Sequence, residues 1–323
     1  NTRISLKAIL EGQREFLFRL RNVHQFLVLH AEGWEPKREA AVATAGTHVL
    51  DRWILAELDA LVRTVTAHLD GYRAYESARA LSGFVDGLSN WYLRRSRDRF
   101  ASLDADGIAA RDTLYVVLDT LALLIAPFVP FTAEAIHLSL RGTSARENPG
   151  FSVHLADWPA PNPAWCADEL TEDMALVREL ASLGLAARAM VGVRVRQPLS
   201  SAEVVLADPA RSARLGPLVE LLRDELNVRE VRFSTDAGRF VSFRVKPDFK
   251  VLGRKLGKDM KACQEALAGL DGSEVRARGL GGGLTLTLPG GPVTLGPDEI
   301  IVEVAPLAGF QASGSAIAVV ALR

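Results

Sequence analysis

From residue 1 to about residue 141, apolar side chains recur every three or four positions. Ile9, Phe16, Leu20, Val23 and Leu27 mark a first stripe, and Leu50, Trp53, Ile54, Leu58, Leu61, Val65 and Leu69 a second. Leu81, Phe84, Leu88 and Tyr92 mark a third, and Leu114, Val117, Leu121 and Leu124 a fourth. A repeat of 3.6 residues puts each set on one side of a helix, so the pattern predicts four long amphipathic helices. The breaks between them carry residues that stop helices: Gly33 to Pro36, Asp70 with Gly71, Asp104 to Gly107, and the kink from Pro127 to Pro130. Thr132, with Glu134 in the first turn, predicts the N-cap of a short fifth helix ending near Arg141 and Gly142. Residues 1–141 therefore read as a helical bundle with short connections.

The pattern then changes. Residues 142–165 are rich in Gly, Ser, Asn and Pro, with Pro149, Pro159, Pro161 and Pro163 stiffening a linker or surface strap. A helix from about Leu170 to Met190 leads into short β-type runs at Ala202 to Leu206, Val228 to Phe233, Phe240 to Val245, Leu284 to Leu288, Ile300 to Val304 and Ile317 to Leu322. Helical segments at about 212–226 and 254–268 interrupt them. Residues 166–323 thus read as a connecting helix and an α+β domain.

Composition narrows the function classes. A chain of 323 residues, 48% of them apolar, can bury two ordinary cores, which argues against disorder. The 38 basic and 39 acidic residues nearly cancel, so a polyanion must be met by a local patch. Cys166 and Cys263 form no CxxC, and the six histidines form no HxxxH, so neither a disulfide framework nor a zinc site is expected. A reducing, cytoplasmic setting fits. No apolar run approaches the roughly 18 residues of a membrane-spanning helix. The first residue is Asn and the last residues, AIAVVALR, read as a strand without a following turn, so a piece truncated at both ends is expected.

Two stretches carry candidate chemistry. In LSNWYLRRSRDRF, residues 88–100, a regular helix puts Leu88, Tyr92 and Arg95 on one face and Trp91, Arg94 and Asp98 on the adjacent one. Aromatic and guanidinium planes displayed together are what unstacked RNA bases and phosphates require. The alternative is that Trp91 and Tyr92 are core residues while the arginines are solvated or paired to Asp86 and Asp98. The second stretch, 239–261, holds Arg239, Arg244, Lys246, Lys250, Arg254, Lys255, Lys258 and Lys261 against Asp248 and Asp259, while residues 157–179 are acidic. Such segregation lets a neutral protein show one face to a polyanion; a solvated helix face is the other reading. GRKLGKD at 253–259 is no phosphate loop, because its glycines are too close and Asp stands where Ser or Thr must hold magnesium. The run GLGGGLTLTLPGG at 279–291 reads as a hairpin. Neither a nucleophile elbow nor a Ser, His and acid set is visible.

The stretch from Leu88 to Phe100 resembles the signature of the anticodon-binding helical domain of isoleucyl-tRNA synthetases, a class Ia family. Arg21-Asn22-Val23 with Phe26-Leu27, Leu50 to Leu55, Ala126 to Glu134 and Ser152 to Pro159 are similar to other landmarks of that domain, in order. Arg196 to Leu199, Glu225 to Val231 and Phe249 to Lys258 resemble the family's C-terminal region, in an order that valyl and leucyl enzymes do not share. The resemblance implies a bundle of the class Ia anticodon-binding type followed by an α+β domain, with isoleucine tRNA as partner, no membrane and a monomeric state. It implies tRNA contacts at Trp91, Arg94, Arg95, Arg97, Arg99, Lys250, Arg254, Lys255 and Lys258, with Trp91 or Tyr92 anchoring the helix. A whole enzyme of this family ligates isoleucine to its tRNA with ATP and magnesium and edits mischarged valine. Its two catalytic signatures and its editing domain are not found in these residues, so the segment is expected to need no cofactor and to catalyse nothing. A helical protein-binding adaptor, the equivalent region of a valyl or leucyl enzyme, and a free-standing enzyme with a pocket in the α+β half stay open as alternatives.

Overall fold

The computed structural model describes residues 5–36, 48–142, 150–270, 275, 283–307, 311–315 and 317–322. Residues 143–149 of the predicted strap and 279–282 of the predicted hairpin run lie outside these, as does the side chain of Ile9. The chain divides into two compact units, Asn1–Thr171 and Glu172–Arg323.

The first unit is helical. Helix α1 (Leu6–Gly12) passes through a π-helical turn (Gln13–Phe18) into α2 (Arg19–Leu29), which buries Leu20, Val23 and Leu27. Helix α3 (Val49–Asp70) buries the predicted stripe from Leu50 to Val65. Helix α4 (Ala74–Gly87) continues through a second π-helical turn (Leu88–Leu93) and one α turn (Arg94–Ser96) into a 3-10 turn (Arg97–Ala101). Helix α5 (Ala105–Ile125) starts at Asp104, whose carboxylate accepts the Gly107 N–H at 2.8 Å. Its sequence promises one apolar stripe. Instead it is buried on nearly all sides, Arg111, Asp112, Thr113, Asp119 and Thr120 included, because it is the central helix of the bundle.

Helix α6 (Pro130–Arg141) departs from the predicted start at Thr132. Pro130 occupies the first turn, where its missing N–H costs nothing, and Glu134 instead accepts the Val153 N–H at 2.8 Å and the Ser152 hydroxyl at 3.1 Å. The Pro-rich residues that follow form a strap. Asn162 donates its N–H to Asp59 at 2.7 Å, the Trp158 indole donates to the Thr66 hydroxyl at 2.9 Å, and Trp165 is buried.

The second unit takes up α7 (Asp168–Met190) from Glu172 on. Strands β1 (Leu199–Leu206) and β2 (Val228–Ser234) pair in parallel, and the connection between them carries α8 (Val219–Leu226), as parallel pairing demands. The helix predicted over 212–226 is interrupted by Gly216 and Pro217: a single α-helical turn (Arg211–Arg214) and a 3-10 turn (Gly216–Leu218) precede α8. Strands β3 (Val241–Pro247), β4 (Leu284–Leu288), β5 (Gly291–Leu295), β6 (Ile300–Pro306), β7 (Gln311–Gly314) and β8 (Ala318–Leu322) follow. The four-stranded sheet runs β2-β1-β8-β7, with every residue of β8 buried. β3 pairs with β6, and β4 with β5 as the predicted hairpin. Helices α9 (Phe249–Leu256) and α10 (Met260–Ala268) replace the single helix expected over 254–268; Gly257, at φ +47°, breaks them apart. Leu252, Cys263 and Leu267 pack with Val245, Leu286, Leu295 and Ile300 into one core.

Candidate nucleic-acid interface

The aromatic and arginine-rich stretch is placed by the π-helical turn at 88–93. A wider turn shifts the helical phase, so Leu88, Tyr92, Leu93, Ser96 and Phe100 all point inward. Tyr92 is the anchor: it is fully buried and donates its hydroxyl to Asp51 at 2.8 Å. The faces expected for a regular helix are therefore corrected. Arg95 does not accompany Leu88 and Tyr92; its guanidinium carbon sits 4.7 Å from the ring centre of half-buried Trp91, a cation–π pair.

The remaining arginines divide in two. Arg94 and Arg97 are exposed; Arg94 touches the Asn90 carbonyl at 3.1 Å, and Arg97 lies 5.9 Å from the Phe26 ring centre. Arg99 turns inward and grips both oxygens of Asp51, at 2.8 and 2.6 Å, and both oxygens of Asp106, at 2.8 Å each. Burial disfavours its charge, but the hydrogen bonds to Asp51 and Asp106 outweigh this and raise its pKa. In return Arg99 holds the Asp106 carboxyl below its usual range. Burial, then Asp51, pushes the Tyr92 phenol well up. His48 caps α3 by accepting the Leu50 N–H at Nδ1, 3.2 Å away; burial and Arg99 lower its pKa. Asp86, expected as a partner for these arginines, instead pairs with Arg19 and Asn90.

The sequence reading missed the group that holds the end of this stretch. Arg111, on the apolar stripe of α5, is buried and donates to four carbonyls: Phe100 at 2.7 Å, Ser102 at 2.6 Å, Gly107 at 2.9 Å and His30 at 2.7 Å. Burial lowers its pKa. Its signal in the sequence was an arginine standing three residues before Leu114, in line with the apolar stripe.

In the second unit Asp248 caps α9 by accepting the Lys250 N–H at 2.8 Å. Lys250 and Lys258 are exposed, as is Phe249. Lys255 is drawn to Glu299, at 2.7 and 3.0 Å, and Lys246 to Glu303 at 2.6 Å. The side chain of Arg254 lies outside the described ones. The acidic segment is partly used internally, since Asp173 pairs with Arg214 at 3.0 Å. One apolar groove of about 780 Å³ opens between α2 and α6, lined by Phe18, Arg21, Val28, Leu29, Phe131 and Ile136 among others. Among the described residues no group of three or more His, Cys, Asp or Glu converges as metal ligands would, and no helix is long and apolar enough to cross a membrane.

Residues 51–205 match the family model of the anticodon-binding domain of tRNA ligase. The chain is 39% identical over 323 residues to an isoleucine–tRNA ligase of Streptomyces avermitilis, covering 99% of this chain and 30% of that protein. It is 36% identical over 319 residues to that of Deinococcus radiodurans, covering 97% and 29%. With that of Clostridium novyi the identity is 35% over 320 residues, covering 97% and 30%. The chain thus spans about 30% of the length of these relatives.

Proposed function

We propose, from the premise that residues 51–205 of this chain belong to the family of anticodon-binding domains of tRNA ligases, that the chain binds the anticodon arm of isoleucine tRNA on behalf of an isoleucine–tRNA ligase. The observation that supports this most directly is the division of labour between residues 91 and 99. Tyr92 and Arg99 fix the turn to Asp51 from beneath, while Arg94 and Arg97 stay at the surface and Arg95 lies on Trp91. A rigid support with exposed guanidinium groups gives phosphate contacts a fixed register, and the Trp91–Arg95 pair adds a flat surface for a base. Arg99 is a positioning residue in this reading, because its guanidinium is spent on two carboxylates of the bundle itself, buried Asp51 and half-exposed Asp106. Lys250 and Lys258 supply a second contact, with Arg254 four residues after Lys250 along α9 and Lys255 tied to Glu299.

Shared phosphate contacts give affinity without choice. Rejection of a wrong anticodon comes from polar groups that the wrong base leaves unpaired. Joining isoleucine to its tRNA, with ATP and magnesium, and removing mischarged valine are assigned to domains other than the residues described here. The reading makes the protein a cytoplasmic monomer.

Binding of the chain to isoleucine tRNA, and to the same tRNA with only its anticodon changed, across a salt series, tests this reading. About five neutralised phosphates give a log–log slope of about -3 to -5. Equal affinity for both tRNAs would reduce the protein to an electrostatic platform.

One observation favours a second reading. The α2–α6 groove displays exposed Phe18, Val28, Leu29 and Phe131, an apolar surface suited to a protein helix. An adaptor working only through that groove shows no salt-dependent affinity for RNA.

A further inference from the structure

Along α4, Tyr75, Arg79, Gly83 and Asp86 follow one another at helical spacings of three and four residues, and through the π-helical turn the row is continued by contact, the Asn90 amide donating to Asp86 at 2.7 Å and the Arg94 guanidinium to the Asn90 carbonyl at 3.1 Å. This row is open. Tyr75 is 72% exposed, Arg79, Gly83, Asn90 and Arg94 are exposed, and a Cβ added to Gly83 would meet nothing within 4 Å. Its one acidic member, Asp86, is half-buried and ion-paired with Arg19, so the row offers Arg79 and Arg94 against a charge already matched. Glu76 is the acidic residue of the first turn, and it points about 100° around the helix from Tyr75.

The turn before α4 carries a second ring in solvent. Tyr72 is 97% exposed and holds φ +55°, a left-handed conformation that disfavours bulky side chains and is usually left to Gly or Asn. Burying neither ring, the bundle gains no apolar packing in return for keeping two tyrosines at this corner.

We propose that this row is the track of the RNA loop: an unpaired base of the anticodon loop stacks on Tyr75, Arg79 takes its phosphate, and the bare backbone at Gly83 lets the strand approach the helix. The inference rests on the anticodon-arm reading and specifies where the loop lies. The row begins at Tyr75 and ends at the Arg94 motif, roughly 28 Å apart at 1.5 Å per residue, so one arm is gripped at two separated places. Aromatic stacking is tolerant of base identity and Arg79 supplies the charge complement, which is the combination that single-stranded RNA needs.

The experiment measures affinity of the full 323-residue chain for an RNA hairpin with the sequence of the isoleucine anticodon arm, and for copies made abasic at single loop positions. Tyr75→Ala is expected to weaken binding about 5- to 100-fold, while Tyr75→Phe, which keeps the ring, stays within about twofold. An abasic site at the stacked position should cost the wild-type chain the same factor and cost Tyr75→Ala nothing further. Both substitutions lie at an exposed site, and an unchanged melting curve confirms that folding is intact. If Tyr75→Ala binds as wild type while Arg94→Ala is weakened, the row is not the track although the anticodon reading stands. Additive losses at every loop position overturn the stacking. A wild-type chain that ignores the hairpin overturns this inference and the anticodon reading together.

Discussion

Arg99 holds both carboxylate oxygens of Asp51, at 2.8 and 2.6 Å, directly below the turn on which Arg94 and Arg97 face solvent. Two arginines thus stand at the surface above a third that is held beneath them. Both partners are largely shielded, with side-chain exposures of 10% for Arg99 and 1% for Asp51. Cutting a shielded pair leaves a charge without its counter-ion, which costs about 3–5 kcal/mol. Asp51→Ala is therefore expected to lower stability by about that amount, read by urea denaturation, and to strip Tyr92 of its acceptor as well. Asp51→Asn, which keeps an oxygen for Tyr92, should cost less. Equal losses in the two variants would show that the Tyr92 hydrogen bond adds nothing beyond the ion pair with Arg99.

Two histidines, one at this corner and one on α6, make stability depend on pH. His48 and His137 both have lowered pKa values, each chiefly through burial and then through a neighbouring arginine, Arg99 or Arg141. The folded state thus prefers both rings neutral, whereas the unfolded chain takes up protons near pH 6.5. Above that pH both states are neutral and the full stability is present. As pH falls below about 6.5 the unfolded state binds more protons, and stability is lost until the lower folded values are passed. His48→Asn supplies another N-cap acceptor and no titration, so it should flatten part of this fall between pH 7 and pH 5 in a series of denaturation midpoints. A midpoint that follows the wild-type curve throughout would remove His48 from the account.

Arg111 and Arg188 follow one design on separate units. Arg188 is buried and donates to the carbonyls of Leu226, Asn227, Arg194 and Gln197, at 2.6 to 3.1 Å, as Arg111 does to its four. Each binds together backbone that has left regular structure, including Asn227, whose left-handed backbone ends α8. Arg111→Met keeps the bulk and abandons four carbonyls, so a loss of about 3 kcal/mol or more is expected. Arg111→Lys restores too few donors for a full rescue. A near-wild-type midpoint for Arg111→Met would mean that water satisfies these carbonyls.

These two arginines mark the limit of what the sequence disclosed. Stripes at Leu50 to Val65 and at Leu114 to Leu124 announced helices because apolar spacing is a local property. Leu284 to Leu288 announced a hairpin strand for the same reason. Strand β7, Gln311-Ala312-Ser313-Gly314, carries no strand-forming residue and owes its conformation to pairing with β8, which no local pattern records. The Leu88 to Phe100 motif was conspicuous, yet the roles of its arginines followed from a π-helical turn and from Asp51, 48 residues from Arg99 in the chain. Long-range partners of that kind decide which charge is structural and which is on offer. The Tyr75 row was readable in principle as spacing, but its exposure depended on which face of α4 the bundle covered.

Gly107 ties the bundle's packing to the candidate interface. It stands in the first turn of α5, where the chain closes against the preceding 3-10 turn, and a Cβ there would lie 2.2 Å from the Ser102 carbonyl oxygen and 2.6 Å from that of Arg99. Both obstacles are backbone, and the Arg111 guanidinium stands 3.1 Å away on another side, so no side-chain rotation relieves the clash. Gly107→Ala must push α5 away from the turn that carries Arg97 and Arg99. The helix gains a better helix former, worth about 1 kcal/mol, but overpacking costs about 1–3 kcal/mol and the hydrogen bonds of Arg111 to Ser102 and Phe100 are stretched as well. The net is a loss of stability. More tellingly, the displaced turn should weaken RNA binding even at temperatures where the variant is fully folded, because the arginines lose their register while keeping their charge. Measured affinity at low salt separates the outcomes: a folded Gly107→Ala chain that binds RNA as wild type would show that the position of this turn is irrelevant to the interface, and that Arg94 and Arg97 act only as mobile charges.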